Sequence, residues 1–432
     1  MKSVFFKRNV FSWCMYDWAN SAFAVVVLTA FFPVLFKVFW DGGAHVSLNT
    51  ARLGIGNTTA GLLVAFLSPV LGAIADAGKA KKAFLVFFML VGTLVTGGLF
   101  FVGHGAWMNA LLLFVLANIG FSCGNLFYDS LLIDITEKPD MDFVSSLGYA
   151  TGYVGGGLLI LIDAVCVIYW ERIGLRSQEQ AMLISFLSVA LWWLVFSMPL
   201  IFFVKERQKR VLQRSYAVIV SGLKRLKTTS VKIASDRLCV LFIVAFWLYM
   251  DGVYTVITMA VNFGMSIGIQ PKVLIMTIVL VQFVAFPAAI GFGFLARSIG
   301  SGRTILIGIA AYIAVCAVGF FVLRTSAQYI VLACVVAMAQ GGVQALSRSY
   351  FAKIVPAEDA SEYFGFLNLI SRFSIVLGPI LVAGVTYLSH QAGATDAFSS
   401  RLGMSSLTFV FIAGGVLLML AEKERKRRSV AA

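Results

Sequence analysis

The sequence predicts an all-α membrane protein whose twelve transmembrane helices form two pseudo-symmetric six-helix bundles. Three observations carry that prediction. Of 432 residues, 60% are apolar or aromatic and only 12% are Asp, Glu, Lys or Arg, whereas a soluble domain carries roughly 25% charged and about 45–50% apolar residues. The apolar residues gather into segments of about 20 residues or more, the length that crosses a bilayer as a helix. Six segments lie on each side of a basic stretch, and short sequences of the first six recur in the second six. This composition excludes a soluble enzyme.

The N-terminal bundle (1–204) holds apolar segments near 10–38, 52–75, 83–102, 107–135, 143–169 and 180–204. The first follows Lys2, Lys7 and Arg8 as a signal peptide would. It nevertheless continues past Val34, contains Asp17 and has no small-residue cleavage site, so it reads as a retained span. A basic cytoplasmic linker (205–237) leads to the C-terminal bundle (238–421), with segments near 238–263, 273–296, 304–323, 328–352, 362–388 and 402–421, and to a basic tail (422–432). Strands of a membrane barrel alternate apolar and polar residues over about ten positions. These runs are longer and continuous, so the spans are helices, which satisfy their own backbone in lipid.

Charge sets the orientation. With a cytoplasmic N-terminus, the outer side keeps Lys37, Arg52, Arg172, Arg176, Lys272, Arg324 and Arg401, and Arg372 lies within a span; the rest of the 34 Lys and Arg are inside. Both termini are therefore expected in the cytoplasm, in the inner membrane of a bacterium. The net charge of +14 reads as this orientation signal, and no nucleic-acid partner is expected. Val211, Leu212, Tyr216, Ile219 and Leu223 would suit the linker to an anionic lipid surface. The six Cys (Cys14, Cys123, Cys166, Cys239, Cys316 and Cys334) lie in apolar stretches with no CxxC or Cys/His spacing, so neither a disulfide framework nor a metal site is expected. His45, His104 and His390 fall in connections, leaving no intramembrane histidine as a proton relay.

The halves read as copies. Asn125-Leu-Phe-Tyr-Asp129-Ser-Leu-Leu-Ile-Asp134 ends the fourth span as Gln344-Ala-Leu-Ser-Arg348-Ser-Tyr-Phe-Ala-Lys353 ends the tenth. Gly148 and Gly365 stand in matching contexts, and Tyr16-Asp17 matches Tyr249-Met-Asp251. Paired six-helix halves are the signature of an alternating-access transporter with its site near the midplane.

Polar residues within spans are the candidate site, because an ionisable group at mid-span costs roughly 2.5–3.5 kcal/mol on insertion scales. Tyr16, Asp17, Asn20 and Ser21 share one side of the first span, and Asn118, Ser122, Asn125 and Asp129 form a stripe on the fourth. Asp251, Thr255, Thr258 and Asn262 repeat the pattern on the seventh, flanked by Tyr254. Asn, Ser and Thr in such stripes also serve as glue between helices; the carboxylates Asp17 and Asp251 are the sharper candidates for substrate contact or proton coupling. Asp163, near the outer end of the fifth span, is a third, or else a snorkelling interface residue. Arg372, with Asn368 and Ser371, requires a carboxylate, a substrate anion or carbonyls. Gln344, Gln340 and Gln282 suit a cavity lining or a helix bridge equally. Gly148, Gly152, Gly155, Gly156 and Gly157 let the fifth span approach a neighbour closely. No phosphate loop, HExxH or GxSxG occurs, so a nucleotide-driven pump and an intramembrane hydrolase are not expected.

Gly72-Ala-Ile-Ala-Asp76-Ala-Gly78-Lys-Ala-Lys81-Lys82 resembles the signature loop of the major facilitator superfamily, with a degraded second copy at Gly293-Phe-Leu-Ala-Arg297-Ser-Ile-Gly300-Ser-Gly-Arg303. Tyr16-Asp17-Trp18-Ala19-Asn20-Ser21-Ala22-Phe23 resembles the first-span motif of the branch holding the autophagy-related vacuolar effluxers and their bacterial relatives. Ser146-Leu-Gly-Tyr149 with Gly155-Gly-Gly157, Asp251-Gly-Val, Val281-Gln-Phe-Val-Ala-Phe-Pro287 and Gln344-Ala-Leu-Ser-Arg348-Ser are similar to that branch as well. The resemblance implies the major facilitator fold and a rocker-switch cycle driven by an ion gradient or the solute's own. It also implies that Asp76 latches the cytoplasmic side; Asp129 and Arg348 are the other gating candidates. Two departures stand out: the first loop is one residue short after Asp76, and Arg297 replaces the acid expected in the second copy. Gly148, Gly152, Gly156 and Gly157 resemble the superfamily's antiporter motif, with Tyr153 in place of its proline.

The expected activity is secondary transport of an amino acid or similarly small polar metabolite, coupled to protons through Asp17 or Asp251. The candidate substrate or coupling residues are Asp17, Asn20, Asn118, Asn125, Asp251, Tyr254, Gln344 and Arg372. A larger cargo such as a siderophore or drug, and a non-transporting receptor with the same fold, are the competing readings. No cofactor is expected, the partners are a solute, a proton or other coupling ion and membrane lipid, and the protein is expected to be monomeric.

Overall fold

The computed structural model describes residues 7–42, 46–207, 226–373 and 377–431, and every regular element among them is helical. Among the described residues, twelve helices are long and apolar enough to cross a membrane: Arg8–Trp40, Ala51–Gly78, Lys81–Phe101, Trp107–Ile135, Lys138–Ile168, Gln178–Phe203, Arg237–Ser266, Met276–Ile299, Ser301–Phe321, Ser326–Ile354, Ala357–Gln391 and Asp396–Arg428. They are called here the first to twelfth spans. Large apolar side chains such as Leu94, Phe101 and Phe409 stay exposed on them, as lipid contact requires and water would not favour.

Local chemistry places the ends. Ser177 accepts from the amide of Gln180 before the sixth span, Asp236 from those of Leu238 and Cys239 before the seventh. Thr325 and Gln328 form a capping box at the start of the tenth, so amides without intrahelical partners find side-chain oxygens. The start of the third span is capped from a distance: the Glu206 carboxylate accepts from the amides of Lys81 at 3.2 Å and Lys82 at 2.9 Å. The first span is not a uniform α-helix. After Arg8–Ala22 it widens into a π-helix over Phe23–Phe31, a form that recurs at functional sites. The expected eleventh segment near 362–388 comprises helices Ala360–Phe373 and Leu377–Gln391. The basic tail continues the twelfth span as part of Leu407–Ala431.

The chain divides into two compact units. One comprises Met1–Glu137, Thr151–Leu226 and Glu358–Gly365; the other comprises Lys138–Ala150, Lys227–Ala357 and Phe366–Ala432. Each unit is thus one half of the chain plus the opening turns of a helix from the other half. Of the linker, 226–235 is helical; Val211, Leu212, Tyr216, Ile219 and Leu223 lie outside the described residues.

Candidate functional site

In the first unit, the polar sides of the first and fourth spans meet. Tyr128 Oη donates to Asp17 Oδ2 at 2.9 Å, and Asn20 Nδ2 donates to Asn125 Oδ1. The Tyr128 ring is held by stacking on Trp13, centroids 4.3 Å apart, and Trp13 Nε1 donates to the Tyr128 carbonyl at 3.1 Å. Asn118 is buried two turns before Asn125 on the same helix and accepts from Ser122 at 3.1 Å. Asp129 is half-buried at the end of this stripe. Tyr128 was not among the sequence candidates, although its spacing of three from Asn125 puts it on the same face. The fifth span lies against this assembly: a Cβ on Gly155 would stand 2.3 Å from the Trp18 carbonyl oxygen, and Thr151 Oγ1 donates to the Cys14 carbonyl at 3.0 Å.

In the second unit, Asp251 is fully buried on the seventh span. The eleventh span passes it at Gly378, where an added Cβ would stand 2.1 Å from Thr255 Oγ1 and 2.8 Å from Asp251 Oδ2. Of the rest of the predicted stripe, Thr255 is buried, and Thr258 and Asn262 are exposed. The Thr255 and Thr258 hydroxyls donate back to the carbonyls of Asp251 and Tyr254, at 2.7 and 2.8 Å, a local bond of helical threonines. Tyr254, Gln344 and Arg372 are half-buried. Seventh and tenth spans are tied by Tyr249 Oη and Ser347 Oγ at 2.7 Å. Ser347 places its single proton on the Val343 carbonyl at 2.6 Å, so Tyr249 is the donor. In the aligned repeats Ser347 matches Tyr128; the same position ties the two spans in each unit.

A second pair of arrangements sits where the second and eighth spans end. Asp76 is buried and its Oδ2 accepts from the amide of Glu362 at 2.8 Å. That amide belongs to the first turn of Ala360–Phe373, so it has no helical acceptor of its own. Gly72 permits this approach; a Cβ would stand 2.3 Å from the Ser361 carbonyl oxygen. Nearby, Ser130 and Ser361 share a hydrogen bond at 3.2 Å, and Lys81 pairs with Asp134 at 3.2 Å. In the second unit Gly293 takes the place of Gly72, its Cβ position 2.8 Å from Ser146 Cβ. Arg297, at the position matching Asp76, pairs with Asp140 and lies 4.6 Å from the centre of the Phe143 ring. Ser349 donates to Asp142 at 2.6 Å, and Lys353 pairs with the same carboxylate. Arg348 is buried, donating from Nε and Nη2 to the Ser145 hydroxyl and carbonyl, both at 2.8 Å, over the Tyr149 ring. The missing acid of the second loop is therefore answered by a reversed pair, cation on the loop and carboxylate on the fifth span. No group of His, Cys, Asp and Glu among the described residues has the arrangement of a metal site.

Residues 55–141 and 134–431 match the family described as "Vacuole effluxer Atg22 like". The chain belongs to the Atg22-like family. It is 36% identical over 422 residues to the "Uncharacterized MFS-type transporter YxiO" of Bacillus subtilis (strain 168), covering 97% of this chain and 96% of that one. It is 23% identical over 318 residues to "Autophagy-related protein 22-1" of Aspergillus fumigatus, where the match spans 67% of this chain but only 49% of the longer fungal protein. Among solved structures, the major facilitator superfamily proton:xylose symporter XylE superposes with a TM-score of 0.70 at 11% identity, over 95% of each chain. This Atg22-like chain is accordingly an integral membrane protein with the major facilitator fold and a transporter of that type, acting on a small-molecule solute.

Proposed function

We propose that the protein is a secondary active transporter of the bacterial inner membrane, with both termini cytoplasmic. It carries an amino acid or a similarly small polar metabolite by alternating access, coupled to protons. The observation that carries this reading is a carboxyl group on the first span of each half, Asp17 half-buried and bonded by Tyr128, Asp251 fully buried under Gly378. Keeping carboxyl groups within a membrane is costly, and a carboxyl group is the natural carrier of a coupling proton where, among the described residues, the spans hold no histidine but His390, at the very end of the eleventh and not in the connection expected from the sequence. Asn20 and Asn118 with Asn125 in one unit, and Tyr254, Gln344 and Arg372 in the other, supply donors and acceptors for a polar solute. Asp76 and Arg348 act as gating residues because they hold the opening turns of the eleventh and fifth spans, and Asp129 is the third gating residue.

A thermal-stability screen of the purified protein against amino acids, dipeptides, organic anions and siderophores, at two pH values, tests the substrate class. A ligand at about 100 times its Kd adds roughly 2.7 kcal/mol of stability. A pH-dependent shift with an amino acid is expected. A shift confined to siderophores or drug-like compounds would overturn the substrate class, and binding without flux in vesicles would make the protein a receptor.

A further inference from the structure

Asp163 belongs to neither polar face described above. It is five residues from the end of Met141–Ile168, about 8 Å along a helix axis, and it is 5% exposed. The sixth span supplies its hydrogen-bond neighbour: Ser188 Oγ is 2.9 Å from Oδ1 and 3.0 Å from Oδ2. The same oxygen is 2.8 Å from the carbonyl of Ser185. A serine hydroxyl has one proton to give and two lone pairs to receive.

An ionised Asp163 would have a single neutral donor for a buried charge, far short of the several donors or counter-charge that such a group requires. The charged side chains on the elements packed around it are Arg8, Asp17 and Lys37 of the first span, Glu179 of the sixth, and Glu171, Arg172 and Arg176 of the following connection, with Lys138, Asp140 and Asp142 at the far end of its own span. Among the described residues none of them forms an ion pair with Asp163. Asp17, on the face of the first span nearest the glycines of the fifth, is bonded by Tyr128 instead. Protonation removes the charge that this one hydroxyl, donating to the carboxyl group, would otherwise have to satisfy.

We infer that Asp163 is a proton-binding site, holding its proton against Ser188 and exchanging it with water at the near end of the fifth span. Loss of that proton leaves a buried carboxylate between the fifth and sixth spans and loosens their packing. The fifth span also bears on the first through Gly152 and Gly155, so this site is placed to report external pH to the span that carries Asp17. As a coupling site it rests on the transporter reading above; as a proton site it does not, and its test requires no solute.

The test is infrared difference spectroscopy on the full-length protein in lipid vesicles, stepping between neutral and alkaline pH, with the proton as the only probe. Wild type is expected to show a protonated-carboxyl stretch at neutral pH that Asp163→Asn lacks and that Asp17→Asn and Asp251→Asn retain. Ser188→Ala should move the band without abolishing it, which keeps the assignment testable if Asp163→Asn does not fold. A band that survives Asp163→Asn, one unmoved in Ser188→Ala, or none at neutral pH would overturn the inference.

Discussion

Replacing Gly72 by alanine probes how the second span holds the start of Ala360–Phe373. The new Cβ would stand 2.3 Å from the Ser361 carbonyl oxygen, 2.7 Å from its carbon and 2.9 Å from Glu362 Cα. All three are backbone atoms, so no side chain can swing aside. Gly61, on the same helix, has nothing within 4 Å of its Cβ position. Alanine gains roughly 0.8–1.0 kcal/mol over glycine in a helix, and Gly61→Ala reports that effect alone. Gly72→Ala adds an overpacking cost of about 1–3 kcal/mol, relieved only if the helix start withdraws. The Glu362 amide, whose acceptor is Asp76, withdraws with it. At about 1.4 kcal/mol per tenfold, its opening constant should rise roughly 5- to 150-fold. Amide-resolved hydrogen exchange at Glu362 reads that number directly. If Gly72→Ala exchanges there no faster than Gly61→Ala, the close approach of these two helices is wrong.

Two further outcomes follow from named contacts. Lys353→Met leaves the buried Asp142 carboxylate with Ser349 in place of its counter-charge; removing one partner of a buried pair costs about 3–5 kcal/mol, so a large fall in Tm is expected, with much of it recovered in Asp142→Asn/Lys353→Met. Equal stability of the single variant and wild type would contradict this pairing. Glu206 lies outside the spans, and burial raises its proton affinity above the usual carboxylate value even though the amides of Lys82 and Lys81 oppose the shift. Its folded form therefore binds a proton more tightly than its unfolded form, so its contribution to stability falls as pH rises from the ordinary carboxylate value through the raised one. Glu206→Gln keeps an acceptor for the two amides and should flatten that part of the Tm-against-pH curve; an unchanged slope would refute the assignment.

The spans and their repeat were legible because hydropathy and charge in this sequence are segregated by position. So were the polar sides of the first and fourth spans: Asn20 and Asn125 were both expected at the site, and they bond one another. Tyr128 was passed over because an aromatic residue in a Phe-rich helix reads as packing until its hydroxyl is seen on Asp17. The partner of Asp76 was not readable at all, since it is a backbone amide 286 positions away and amides carry no residue identity. Arg297 looked like a defect in the second loop. Its meaning depends on Asp140 and Phe143, which belong to the other half of the chain. The glycines of the fifth span announced a close neighbour without naming it; the structure supplies Trp18 and Ser21. On the seventh span, periodicity registers polarity but not hydrogen bonding: the Thr255 and Thr258 hydroxyls return to carbonyls of their own helix.

The most direct measurement of the central claim is proton movement during solute flux. Wild type, Asp17→Asn and Asp251→Asn would be reconstituted in vesicles loaded with a pH-sensitive dye and challenged with labelled amino acids, following dye and label together. The account predicts that at least one amino acid moves with protons in wild type, and that one of the two variants loses the proton signal. Amino acid flux with no proton movement, or proton-linked flux unchanged in both variants, would contradict it.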